Sequence, residues 1–240
     1  MAYKETVVAV FDTFDTGNKA LQALLDNGFS RDDIGLAVNN RRKDGDFGNI
    51  ETNVDKYEDV TGAEGSAFGA TIGGIAGAAA ALSAIVIPGI GPIIAAGPLV
   101  ALLGGATGAV IGGAAGAVTG GITASLVHLG IADDEAEYYA ESVRRGNSLL
   151  TVSVGSDSEA TKATEVLNRF NPIDVKQRAS DWRDKEGWTG FDMEAEPYHH
   201  DDLESERVLN ENRRNEPYYN TPESVRRFPV LPPVPPNKPQ

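Results

Sequence analysis

The sequence predicts an α+β fold on three observations. Two stretches alternate short β-rich runs with helical patterns, a long charge-free run rich in glycine and alanine separates them, and the C-terminal end is polar, acidic and proline-rich. Alternating or continuous β-branched runs favour strands, whereas apolar residues returning every three to four positions favour helices.

Residues 6–11 (TVVAVF) form the first strand-like run, and several N-cap candidates follow at Asp12, Thr13, Asp15 and Thr16. Ala20, Leu21, Leu24 and Leu25 then share one helical face, Gly28 ends the helix, and residues 34–38 read as a second strand. A second unit starts at 133–145, a helix with Asp133, Asp134 and Glu135 in its first turn and Arg144 and Arg145 in its last, as the helix dipole favours. Gly146 ends it. Residues 149–154 form a strand, 158–170 a helix with Ala160, Ala163, Val166, Leu167 and Phe170 inward, and 173–177 a short final strand. Two βαβ halves of this size predict a four-stranded sheet with helices on one face, a ferredoxin-like arrangement to which helix 133–145 is added.

Between the halves, residues 65–132 contain no Asp, Glu, Lys or Arg. Gly65, Gly69, Gly73 and Gly77 recur at every fourth position, and so do Gly104, Gly108, Gly112, Gly116 and Gly120. Fourth-position residues share a helix face, so each row lets another backbone approach closely, as in a glycine zipper. These nine glycines are the predicted association interface. Bulky residues on the other faces (Phe68, Ile72, Ile75 and Leu82, then Leu99, Leu102, Val110 and Ile111) leave no polar side, and a helix apolar all round is buried in protein or lipid. Pro88, Gly89, Gly91 and Pro92 break the run and predict the turn of a helical hairpin. Its arms, 66–86 and 98–127, are about 31 and 45 Å long at about 1.5 Å per residue. Each exceeds a hydrocarbon core of about 30 Å. Pro98 suits the first turn of the second arm. The predicted organisation is therefore 1–60, first half and linker; 61–130, helical hairpin; 131–180, second half; and 181–240, an acidic, proline-rich tail. Excising 66–127 is expected to leave the two halves folded, and the tail reads as an accessory surface.

Composition removes several function classes. Cysteine is absent, which excludes disulfides, thiolate metal sites and a cysteine nucleophile. A formal charge of −14 and a pI near 4.6 repel phosphate backbones, so nucleic acid is not an expected partner. The start, MAYKE, lacks the regions of a secretory signal, which predicts a cytoplasmic protein with inner-membrane association as an option. His199-His200-Asp201-Asp202 sets two imidazoles beside two carboxylates, but four adjacent residues seldom enclose a metal, and no metal or cofactor is expected. His128 reads as a helix-end residue. The glycines do not lead from a strand into a phosphate-binding Gly-Lys-Ser/Thr, and no nucleophile elbow is present, so the expected protein is not an enzyme. Tyr138 and Tyr139 are expected to pack against the sheet or the hairpin base. Trp182, Trp188 and Phe191 read equally as docking anchors or as loosely ordered aromatics.

The run Val7 to Asp12, the helix ending Asn27-Gly28-Phe29, the following Asp33-Ile34-Gly35-Leu36, and downstream GIADDEAEYY with Val143-Arg144-Arg145-Gly146 resemble the general stress protein 17M-like family of bacteria. The segment IPGIGPIIAAGP is similar to the glycine-rich insert of members described as low-temperature-induced. The resemblance covers about residues 5–178 and implies stress induction; it carries over no catalytic or ligand residues. The function expected from residues and resemblance together is a non-enzymatic stress-response protein. It associates with itself through the glycine rows, in a bilayer or as the core of a homo-oligomer. The alternative is a regulatory module that senses a small ligand or partner and is localised by the hairpin.

Overall fold

The computed structural model describes residues 4–39, 83–87, 89–103, 121–213 and 221–230. The expected first unit is present as β1 (Glu5–Phe11), α1 (Phe14–Asp26) and β2 (Ile34–Asn39). Thr13 caps α1 by accepting from the Thr16 amide, and Ala20, Leu21 and Leu24 are its buried stripe. A short 3-10 turn, Arg31–Asp33, leads into β2.

The expected helical hairpin is corrected at its described part. Ser83–Ile87 is a strand, β3, and Gly91–Ala96 is a second strand, β4. The turn reverses strands, not helices: Ile90 N–H donates to Ile87 O at 3.1 Å, with Gly89 at φ +75°. The physical reason is the β-branched run Ile85, Val86, Ile87, Ile93 and Ile94, whose stiff side chains suit a pleated surface better than a helix. Gly91 (φ +91°) and Pro92 open β4, and Pro88 lies outside the described residues.

From Pro98 to Leu103 the chain is helical (α2), with Pro98 at its first position as expected, and Ile122–His128 is α3. All nine zipper glycines, Gly65 to Gly77 and Gly104 to Gly120, lie outside the described residues. No helix of the described residues is long and apolar enough to cross a membrane.

Asp133–Arg144 is α4, Ser148–Val154 is β5 and Asp157–Asn168 is α5, each within two residues of its expected bounds. The expected strand at 173–177 is replaced. Ile173 makes one bridge, its N–H donating to Val10 O at 2.8 Å, and Asp174 then caps α6 (Val175–Glu186) by accepting from the Gln177 amide at 3.0 Å. The tail is not separate from the fold: α7 (His200–Arg213) packs back, and β6 (Val225–Pro229) supplies the strand that 173–177 does not.

The sheet has six strands in the order β3-β4-β2-β5-β1-β6, and every neighbouring pair is antiparallel. Side chains alternate between two cores, so helices cover both faces, where one covered face was expected. On one face Val7, Ala9, Phe11, Leu36, Val38, Ile94 and Leu150 meet α1 and α5. On the other, Val8, Val10, Ala37, Ile93, Ala95 and Leu149 meet α2, α3 and α4. Ile94, Leu99, Ile122 and Leu126 are therefore core residues of the folded unit. Excision of 66–127 would take these core residues with it.

Candidate functional site

The sequence-predicted site does not assemble among the described residues. The glycine rows fall outside them; Gly89 sits in the β3–β4 turn and Gly91 opens β4. His128 ends α3 in an exposed position. His199 precedes α7 and Asp202 lies in its first turn, and the His199 amide donates to Asp202 Oδ2 at 3.0 Å. Tyr139 packs edge-on to Phe228 in the core, and burial pushes its phenol well above the usual range.

What the structure does assemble is a buried clasp at the C-terminal end of α4. Glu141 and Arg145 are four apart on one helix face, acid before base, the order that favours pairing. Arg145 Nε donates to Glu141 Oε1 at 2.7 Å, and its Nη1 donates to Glu186 Oε2 of α6 at 2.6 Å and to Glu206 Oε1 of α7 at 2.8 Å. The guanidinium lies 4.5 Å from the centre of the Trp182 ring and 5.5 Å from that of Tyr198. Arg144 donates to the Glu196 carbonyl at 3.0 Å and sits 4.6 Å from the Tyr198 ring centre. Tyr198 Oη donates to Glu141 Oε1 at 3.4 Å. Arg145 is 3 % exposed and Glu141 is not exposed at all, whereas Glu186 is 36 % exposed, so one guanidinium joins three elements in a site that is closed at Glu141 and open to water at Glu186.

Charge in such a site is distributed unequally. Burial alone would lower the pKa of Arg145, but the Glu141 and Glu206 carboxylates outweigh it and hold the group protonated above its ordinary value. Burial raises Glu206 above the usual carboxylate value against the pull of Arg145, and the neighbouring Glu186 charge adds to the rise. Burial likewise raises Tyr198.

The sign for stability follows. A carboxyl raised on folding contributes stability that is present below its unfolded pKa, about 4.3, and is lost as pH rises through the higher folded value. Glu206→Gln is therefore expected to match or exceed the wild type in urea midpoint at pH 7, with the difference vanishing in mild acid. Arg145→Met removes the guanidinium that three carboxylates share, leaving the buried Glu141 its longer 3.4 Å pair with Arg144, and is expected to lose about 3–5 kcal/mol. A Glu206→Gln chain that is clearly less stable than wild type at pH 7 would show that the ion pair, and not the burial of its acid, governs the site.

The aromatic residues of the tail belong to the same region. Trp182 is buried, its ring meets Trp188 edge-on at 5.7 Å, and Trp188 meets Tyr138 at 5.9 Å. The Trp188 amide donates to Trp182 O past Gly187, which is left-handed at φ +69°. Phe191 packs on the second core. These are ordered aromatics that fix the segment after α6.

A second set of ion pairs holds β6. Arg226 joins Glu135 of α4 at 2.8 Å and also pairs with Glu223. Arg227, on the opposite face, joins Glu5 at 2.7 Å and Asp157 at 2.6 Å. Between α4, α6 and β6 a hollow of about 10 Å³, lined by Glu135, Tyr138, Tyr139, Lys176, Ser224 and Arg226, has room for about one water.

Of the clasp, only the Glu141–Arg145 spacing is a sequence signal. Comparison with family models, with characterised proteins and with solved structures gives no significant match to this chain.

Proposed function

We propose that this chain is a non-enzymatic stress-response protein that associates with copies of itself through its glycine-periodic, charge-free segments, as the core of a homo-oligomer. The observation that carries the reading is that the two helices flanking the second glycine row in sequence are neighbours in the fold. α2 ends at Leu103, α3 begins at Ile122, and the two helices pack on each other. The segment between them in sequence, 104–120, has glycine at every fourth position, and the described residues form a folded unit that has its own cores.

Protein burial is favoured over lipid because part of the same charge-free run, Ile93, Ile94, Leu99, Ile122 and Leu126, is already buried against the sheet. The order β2-β5-β1-β6, with α1 and α5 on one face, supports a ferredoxin-like unit as the carrier, extended by the β3–β4 hairpin on one side. Stress response rests on the family resemblance over residues 5–178.

The test compares Gly112→Leu with Ile111→Leu. A leucine at the glycine separates two close backbones at about 1–3 kcal/mol per contact, whereas the isoleucine exchange keeps volume. Crosslinking and sizing should show the oligomer lost in the first variant and kept in the second. Equal populations in both remove the glycine row from the interface, and protein that resists an alkaline wash of membranes places the segment in lipid instead.

A further inference from the structure

We propose that the outer edge of β3 is a contact surface for a second copy of this chain, the two copies pairing β3 to β3 about a two-fold axis into one continuous sheet. The contact is separate from the glycine rows and does not depend on them. β3 ends the sheet order, bonded to β4 on one side and to no strand on the other among the described residues.

The register fixes which backbone groups this edge offers. Ile87 turns its carbonyl inward, where it accepts from the Ile90 amide at 3.1 Å. In an antiparallel pair, successive residues turn their N–H and C=O alternately to one side and the other. Ser83, Ile85 and Ile87 therefore bond toward β4, and Ala84 and Val86 face outward. That outward set is self-complementary. About a two-fold axis at Ile85, Ala84 stands opposite Val86 of the second copy and Val86 opposite its Ala84, so each pair exchanges two N–H to carbonyl bonds.

Charge and rigidity single out this edge and this partner. With a net charge of −14, copies of the chain repel one another, but β3 and β4 lie in the charge-free run and add no charge to the contact. The opposite edge is guarded, since β6 carries Arg226, Arg227 and Pro229, whereas Ser83–Ile87 has neither a charge nor a proline. The β3–β4 hairpin is also held in place. Ile87 and Ile90 are buried, and a Cβ built at Gly89 would fall 2.5 Å from the Asp192 carbonyl oxygen, so other backbone lies directly on the turn. An edge already fixed by folding leaves little ordering for association to do.

The wild-type chain provides the first test, by hydrogen exchange of single amides read by NMR over a concentration series. The Ala84 and Val86 amides should exchange freely in dilute solution and become protected as concentration rises, while the inward Ile85 amide stays protected throughout. Full protection of Ala84 and Val86 at the highest dilution means that the edge is covered within one chain and overturns the proposal. Free exchange at every concentration overturns it equally.

The second test compares Val86→Pro, which removes an outward donor and leaves the bonds to β4, with Val86→Thr, which keeps the donor. By symmetry two donors are lost per pair of copies, so the proline is expected to raise the dissociation constant of the pair about tenfold over the threonine. Equal constants overturn the proposal, and if Val86→Pro does not fold, the exchange series decides alone. Gly112→Leu separates this contact from the glycine rows, because concentration-dependent protection of Ala84 and Val86 should persist in that variant. Loss of the protection there overturns the edge as a contact of its own; protection kept in a chain whose larger oligomer also survives Gly112→Leu leaves the edge standing and removes the glycine rows.

Discussion

A chain ending at Arg213 is expected to lose about 3–6 kcal/mol of stability, although everything it lacks comes from a stretch whose composition reads as a tail. Such a chain lacks β6, and with it the buried Val225 and Phe228. Burying a side chain of this kind contributes about 1.5–3 kcal/mol. Removal also frees the edge of β1 from Glu5 to Ala9 and leaves Glu5 and Glu135 without Arg227 and Arg226. Against a total of about 5–15 kcal/mol, that loss is visible as a large fall in the urea midpoint and as aggregation through the open edge. An unchanged midpoint would mean that β6 is an accessory to the sheet. The truncated chain retains Arg145, Glu186 and Glu206, so this result is independent of the clasp.

The second large effect is expected at Gly97→Ala. Gly97 joins β4 to α2 at φ +63°, and a Cβ there would lie 1.9 Å from the Ile34 carbonyl oxygen. Left-handed strain contributes about 1–3 kcal/mol, and the displaced backbone adds about 1–3 kcal/mol more. Gly28→Ala is the control. Gly28 has φ +87° but nothing within 4 Å of a built Cβ, so only the strain of roughly 1–2 kcal/mol remains. Thermal unfolding of the two variants should separate them clearly; equal losses would mean that β2 yields to make room at Gly97.

The elements read correctly from sequence are those whose signal is local. β1, α1, β2, α4, β5 and α5 each carry their own periodicity, cap or stop, such as Thr13 before α1 and Gly146 after α4. β3 and β4 were hidden because a four-residue glycine period on either side invites extrapolation across Ile85, Val86, Ile87, Ile93 and Ile94, residues that prefer strands. β6 was hidden for another reason. Val225-Arg226-Arg227-Phe228 has charges where a half-buried strand needs only one apolar face, and proline follows it. Those arginines are ion-paired on both faces of an edge strand, and Pro229 ends it, which also protects the edge from pairing with other chains. The clasp was half legible: Glu141 and Arg145 share a helix turn, but Glu186 and Glu206 lie 41 and 61 positions from Arg145 and meet it only through tertiary packing.

The pairing of β1 with β6 also sets the order of events during synthesis. Arg227 reaches Glu5 across 222 positions of sequence. β1 must therefore wait until the residues that separate it from β6 have been made before this neighbour arrives, and contacts of such separation form slowly. Chains grow from the N-terminus at about 5–20 residues per second, so on the ribosome β1 stays open on that side for roughly ten seconds or more. The charge-free run emerges within that interval. A nascent chain thus presents an unpaired strand edge and an uncharged segment together, until Val225–Pro229 emerges and covers that edge.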